Sequence, residues 1–65
     1  MNIIVNAEPR EIDATSLEAA LIELGFTGHA IATALNGAFV ARKARSQTCL
    51  QPGDRLEVLS PMQGG

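Results

Sequence analysis

The chain has 65 residues, and the last two, Gly64 and Gly65, place one reactive group at its end: the α-carboxylate of Gly65. Glycine has no Cβ, so it accepts backbone angles closed to other residues and lets a chain pass close to another backbone. Such an end suits delivery of a carboxylate into a narrow site on a partner. A carboxylate is a poor acyl donor, because its leaving group would be an oxide. Its activation calls for a better leaving group, such as a mixed anhydride with phosphate supplies. That chemistry needs positioned cations and hydrogen-bond donors around the phosphates. The sequence has no phosphate-cradling glycine loop and no metal-ligand cluster, so it reads as the substrate of such chemistry. The plainer reading of Gly64-Gly65 is a frayed end, which chain ends often are.

The remaining reactive side chains are few. Cys49 reads as a small hydrophobe beside Leu50 rather than as a sulfur-handling thiol, since nothing near it in sequence clearly favours the thiolate. His29 stands in a loop with no second ligand and reads as a surface histidine. Phe39, Leu59 and Met62 are candidates for an apolar docking patch beside the tail, since contiguous apolar patches mark interfaces. Arg42 is a candidate charged contact on the same sheet. Arg42, Lys43 and Arg45 cluster without interleaved aromatics, so they read as a solvated face rather than a nucleic-acid groove.

A chain of this size makes one domain, burying roughly 60% of the surface its unfolded form exposes. It has no room for a deep active site built from distant loops, which argues against a small-molecule enzyme. Hydrophobic residues are 46% and charged residues 18%, a globular composition. Phe26 and Phe39 are the only aromatics, so the core must be aliphatic. The net charge of −2 argues against nucleic acid. One cysteine allows no internal disulfide and gives no sign of secretion. No apolar run approaches the roughly 20 residues of a membrane span. The N-terminus lacks the pattern of a signal peptide, so the expected location is cytoplasmic.

The elements that must position the tail are legible in periodicity. Residues 1–5 are rich in β-branched types and read as a strand. Asn6-Ala7-Glu8-Pro9 has the composition of a turn, and Arg10 to Asp13 returns as a second strand with Ile12 inward. Thr15-Ser16-Leu17-Glu18 fits a capping box with Thr15 as N-cap. Leu17, Ala20, Leu21 and Leu24 form one apolar stripe, and Gly25 is placed to end the helix. Ala30 to Leu35 reads as strand three, with Ile31, Thr33 and Leu35 on one face. Asn36-Gly37 is a type I′ turn signal, and Ala38 to Arg42 reads as strand four. Lys43 to Leu50 reads as a crossing loop or short helical turn with Leu50 tucked in. Gln51-Pro52-Gly53-Asp54 is a turn. Arg55 to Leu59 alternates as a last strand, with Leu56 and Val58 inward. Pro61 keeps the exit at Ser60 extended. The expected architecture is α+β, with a β-grasp domain over 1–59 and a flexible diglycine tail over 60–65. If the last strand returns to the middle of the sheet, it runs parallel to the first there, and the helix lies across one face.

Ala34-Leu35-Asn36-Gly37, Phe39-Val40 with Arg42, Gly53-Asp54-Arg55-Leu56-Glu57 and the closing Gln63-Gly64-Gly65 carry a family likeness over the whole chain. In their order and spacing they resemble the ubiquitin-like sulfur carriers, and within these the ThiS carriers of thiamine (thiazole) biosynthesis. The family often has Val-Pro-Arg where this chain has Val40-Ala41-Arg42, and the run from Lys43 to Thr48 is more basic here. The resemblance implies that Gly65 is adenylated by an E1-like, ThiF-type adenylyltransferase using ATP and Mg. A donor with a cysteine persulfide then supplies sulfur, so that the acyl adenylate becomes a thiocarboxylate, and a ThiG-type thiazole synthase accepts that sulfur. In that scheme Gln63 and Gly64 thread the tail, the carrier binds no cofactor of its own, and it meets neither nucleic acid nor membrane. Two relatives in fold imply other roles: the small subunit of molybdopterin synthase, and a ubiquitin-like modifier joined to lysine. A structural interaction module is the reading from outside this class.

Overall fold

The computed structural model describes residues 1–27 and 30–60. Its elements are β1 (Asn2–Val5), β2 (Glu8–Glu11), α1 (Leu17–Leu24), β3 (Ala32–Leu35), β4 (Ala38–Val40), a 3-10 helix (Arg42–Gln47) and β5 (Arg55–Leu59). The strands form one sheet in the order β2-β1-β5-β3-β4. The β1–β5 pair is parallel and the other pairs are antiparallel. This is the expected β-grasp, with all five strands in one mixed sheet.

Alternation fixes which face is buried. Ile3 and Val5 of β1, and Leu56 and Val58 of β5, point to the core, where Leu17, Ala20 and Leu21 of α1 meet them. Ile12 and Leu50 close the ends of this aliphatic core. Leu56 is fully buried, so truncating it to Ala would cost roughly 2–5 kcal/mol, much of the stability a small domain has. Helix α1 is too short to persist alone and exists because its stripe is covered. It ends at Gly25, which takes φ 90°, and the closing bonds are Gly25 N–H to Ile22 O at 3.1 Å and Phe26 N–H to Leu21 O at 2.8 Å. That double closure satisfies two terminal carbonyls, a Schellman motif.

The first hairpin is tighter than its composition suggests. The turn is Asn6-Ala7 alone, with φ 49° and 72°, the type I′ signature. Glu8 and Pro9 belong to β2, where Pro9 pairs with Ile4. A proline is tolerated there because β2 is an edge strand, whose outer N–H groups need no partner. Ile12 is buried as expected, although it lies just past the strand, where its N–H bonds Met1 O at 2.9 Å. Strand β3 begins at Ala32 rather than Ala30, and β4 ends at Val40 rather than Arg42. Leu50 is buried behind a 3-10 helix, in agreement with the expected short helical turn.

The helix also starts one residue later than the capping-box reading places it. Ser16 is the N-cap, and its Oγ accepts from Ala19 N–H at 3.1 Å. The reason is tertiary. Thr15 O accepts from Leu50 N–H at 2.8 Å, Leu17 N–H donates to Thr48 O at 2.8 Å, and Ser16 makes an antiparallel bridge with Cys49. Thr15 is thereby held outside the helix. Ser16→Ala should lower stability by about 1 kcal/mol in urea unfolding, whereas Thr15→Ala should change it by less than about 0.5 kcal/mol. The reverse ranking would restore Thr15 as the cap.

Candidate functional site

The end of β5 is the point from which the chain runs on toward Gly65, so whatever holds β5 sets where the tail begins. Two asparagines hold it. Asn6 has a left-handed backbone, which its short polar side chain tolerates. Its N–H donates to Leu56 O at 2.9 Å. Its side chain then takes over the ladder where β1 stops: Oδ1 accepts from Val58 N–H at 2.9 Å, and Nδ2 donates to Val58 O at 3.2 Å. A side-chain amide here stands in for a peptide group of the missing strand residue.

Asn36 does the same at the other end. Its φ is 51°, and with Gly37 at 86° it forms the expected type I′ turn. Its N–H donates to Arg55 O at 2.8 Å, its Oδ1 accepts from Arg55 N–H at 2.9 Å, and its Nδ2 donates to Asp54 Oδ1 at 3.1 Å. The Asp54 carboxylate also accepts from Gln51 N–H at 2.8 Å through Oδ2, which closes the turn before β5. The two turn asparagines thus clip the first and fourth residues of the same strand. The register Ala32↔Leu59 carries pairing to its last residue.

Phe39 and Leu59 come together on the sheet face away from α1. Phe39 is 74% exposed and Leu59 68%, high for large apolar side chains. Their strands flank β3, whose Ala32 and Ala34 lie between them at the registers Ala34↔Phe39 and Ala32↔Leu59. Small residues between large ones leave a shallow apolar concavity of about 100 Å³, with Glu57 at its rim. Arg42 does not join this surface. It is the first residue of the 3-10 helix, which packs against α1, and it lines a different concavity with Glu18, Lys43 and Ser46. The expected contact on the sheet is therefore not formed.

Met62, Gln63, Gly64 and Gly65, and also His29, lie outside the described residues. Cys49 is exposed, not packed beside Leu50 as its apolar character suggested. Among the described residues no group of three or more His, Cys, Asp or Glu side chains is placed to hold a metal ion. No helix of the described residues is long and apolar enough to cross a membrane. What the described residues do is hold a central strand firmly and present an apolar surface beside its end.

Residues 3–65 match the model of the ThiS family. The chain is 38% identical over 66 residues to a thiazole synthase of Magnetococcus marinus and 32% identical over 66 residues to one of Paramagnetospirillum magneticum. All of the chain is covered in both matches, but it spans only 20% of the length of each of these relatives. Its structure is similar to the crystal structure of a thiamine biosynthesis protein (ThiS) from Geobacter metallireducens, with a TM-score of 0.80 and 31% identity over the whole of both chains. It is similar also to the solution structure of a thiamine biosynthesis protein from the same organism, at a TM-score of 0.81 and 30% identity, covering all of this chain and 88% of the other.

The Asn6 clip can be isolated. Asn6→Gly keeps the left-handed backbone accessible and removes only the side-chain amide. It should cost about 1–2 kcal/mol, from two modest hydrogen bonds. It should also speed hydrogen exchange at the Val58 amide well beyond that at Leu56. Uniform acceleration across β5 would show that the side chain acts only through global stability.

Proposed function

The chain belongs to the ThiS family, and from that membership we propose that it is a sulfur carrier of thiamine biosynthesis whose working group is a free α-carboxylate at Gly65. The observation that carries the reading is the family match, which runs through residue 65 and so includes the diglycine. Two further findings support it: the structural neighbours are thiamine biosynthesis proteins, and the relatives that contain a similar segment are thiazole synthases. A carrier segment and its acceptor in one polypeptide is the pairing expected of direct sulfur transfer between them.

In this reading the carrier is the substrate of its partners' chemistry. An adenylyltransferase, using ATP and Mg, lets a Gly65 carboxylate oxygen attack the α-phosphorus, and pyrophosphate leaves. The terminal sulfur of a cysteine persulfide then attacks the acyl carbon and AMP leaves. A thiol resolves the resulting acyl disulfide, releasing the thiocarboxylate, which thiazole synthase takes as its sulfur source. The chain's own contribution is geometric. Gly65 carries the acyl carbon, Gly64 and Gln63 make the approach, and the surface of Phe39 and Leu59 beside the β5 exit docks the partner, with Met62 next to it in sequence. Burial of these two exposed side chains is the kind of apolar anchor that partners use. Arg42 lies off this surface and takes no part in that contact.

The test is intact-mass spectrometry after incubation with the adenylyltransferase, ATP, Mg and a persulfide donor. One terminal oxygen should be replaced by sulfur, and deletion of Gly65 should abolish the change. Persistence of the unmodified carboxylate with all components present would refute the carrier role. Gly64→Ala should leave the unfolding transition unchanged yet slow adenylation strongly, since its Cβ narrows clearance in a channel shaped for two glycines. Equal adenylation rates would refute threading while leaving sulfur carriage intact.

A further inference from the structure

The turn that secures the entry of β5 also holds the peptide bond most open to attack from within the chain. Of the three asparagines, only Asn36 is followed by glycine. A peptide nitrogen that attacks the side-chain carbonyl of the asparagine before it closes a five-membered ring. A glycine nitrogen is the least hindered for this attack, because the residue has no Cβ. Asn6 precedes Ala7 and Asn2 precedes the β-branched Ile3, so a side chain crowds the attacking nitrogen at both. Asn36 and Gly37 are exposed, and a Cβ built on Gly37 would meet nothing within 4 Å, so water reaches the turn freely.

The folded turn withholds that reaction in two ways. In a type I′ turn the first central residue has ψ of about +30°, which sets the next nitrogen anti to its Cβ. The Gly37 nitrogen is then out of reach of Asn36 Cγ. The Asn36 side chain is also engaged elsewhere: Oδ1 accepts from Arg55 N–H at 2.9 Å, and Nδ2 donates to Asp54 Oδ1 at 3.1 Å. Both bonds join the turn to the start of β5. Ring closure therefore requires the entry of β5 to detach and the turn to open.

We propose that Asn36-Gly37 is a conditional deamidation site, silent while β5 is seated and reactive once β5 lets go. The Gly37 nitrogen gives its proton to solvent base and bonds Asn36 Cγ. The Cγ–Nδ2 bond breaks, and Nδ2 takes up a proton and leaves as ammonia. Water then opens the ring: cleavage at Cγ leaves aspartate, and cleavage at the Asn36 backbone carbonyl leaves isoaspartate. Water is the one co-reactant, and nothing is oxidised or reduced. Either product resists the return of β5. Aspartate puts a carboxylate where an amide donated to the Asp54 carboxylate, and like charges in contact repel. Isoaspartate runs the main chain through Cβ and Cγ, so the two-residue turn between Leu35 and Ala38 gains a backbone atom and loses its closure. The conversion is a one-way loosening of the central strand, and it marks chains in which that strand has been out of place. It depends on neither the diglycine nor the sulfur-carrier reading.

The experiment follows amide loss at each asparagine by peptide-mapping mass spectrometry, with the full chain held in mildly alkaline buffer across a urea series. A free peptide of residues 33–40 is run beside it. Without urea, Asn36 should convert at least about tenfold more slowly in the chain than in the peptide, because attack must wait for a minor opened state. The rate should rise with urea in step with the unfolded fraction, and Asn2 and Asn6 should lag behind Asn36 throughout. The effect of the product is read separately. Asn36→Asp should speed hydrogen exchange at the Arg55 amide at least about tenfold, as loss of a hydrogen bond to a charged group implies. Adding Asp54→Asn should reverse most of that acceleration by removing the repulsion. If Asn36→Asp alone does not fold, recovery of folding in the double variant carries the same test. Equal conversion in chain and peptide, Asn6 keeping pace with Asn36, Arg55 exchange unchanged by Asn36→Asp, or a double variant no better than the single would each overturn the proposal.

Discussion

The last strand of the chain is the middle strand of the sheet, and the rest of the structure depends on holding it there. β5 has no hairpin partner. It enters between β1 and β3 after all other strands have been laid down in sequence, and its pairing with β1 is parallel, the form that gives the less favourable hydrogen-bond geometry. The register with β1 covers only Ile4↔Arg55 and Val5↔Leu56. Without additional bonds, the half of β5 nearest the exit would be paired on one side only. Asn6 supplies the missing side by bonding both backbone groups of Val58, and Asn36 secures the entry by bonding Arg55. Each asparagine can do this because its left-handed backbone, required by a type I′ turn, turns its side chain back toward the neighbouring strand. Turn chemistry and strand capture are therefore one constraint, and it explains why asparagine stands at both positions.

Much of this is readable from the sequence, and the failures have local causes. Asn36-Gly37 states its turn openly, and β5 states its buried face through Leu56 and Val58. Asn6-Ala7 does not, because alanine at φ 72° is an unusual choice costing roughly 1–2 kcal/mol, and nothing in the residue type announces it. Glu8-Pro9 then looks like turn composition when it is edge strand. Thr15 satisfies a capping-box pattern, yet its carbonyl is taken by Leu50 and the helix begins after Ser16. The partner that decides the matter, Leu50, is far along the chain and invisible to a local window. Arg45, which is buried, is hidden in a different way. Within Arg42-Lys43-Ala44-Arg45 it looks like one more solvated cation, and only the three-residue period of a 3-10 helix separates it from Lys43.

The surface beside the end of β5 is partly readable as well. Phe39 and Leu59 are far apart in sequence, and strand order brings them to the same face two strands apart, across β3. Phe39 and Arg42 are three residues apart, so even a β4 continued to Arg42 would set them on opposite faces. The strand instead ends at Val40, and Arg42 begins the 3-10 helix that packs against α1. Without Arg42, the concavity on the sheet surface is lined by apolar side chains with Glu57 as its one charged residue.

β3 is the element that both faces of the sheet share. Its alternate residues face opposite ways: Ala32 and Ala34 floor the concavity between Phe39 and Leu59, while Thr33, with Ile31 just before the strand, holds the Arg45 guanidinium behind the sheet. The same strand pairs with β5 along its whole length, so Ala32 opposite Leu59 fixes where residue 60 departs. The sheet face and the end of β5 are thereby tied together through one strand. The Thr33 hydroxyl joins Arg45 on β3's inner side to Val40 on the edge strand that carries Phe39. Small alanines in front and a threonine behind are what allow so short a strand to serve both faces, since a bulky residue at either would fill the concavity or displace the guanidinium.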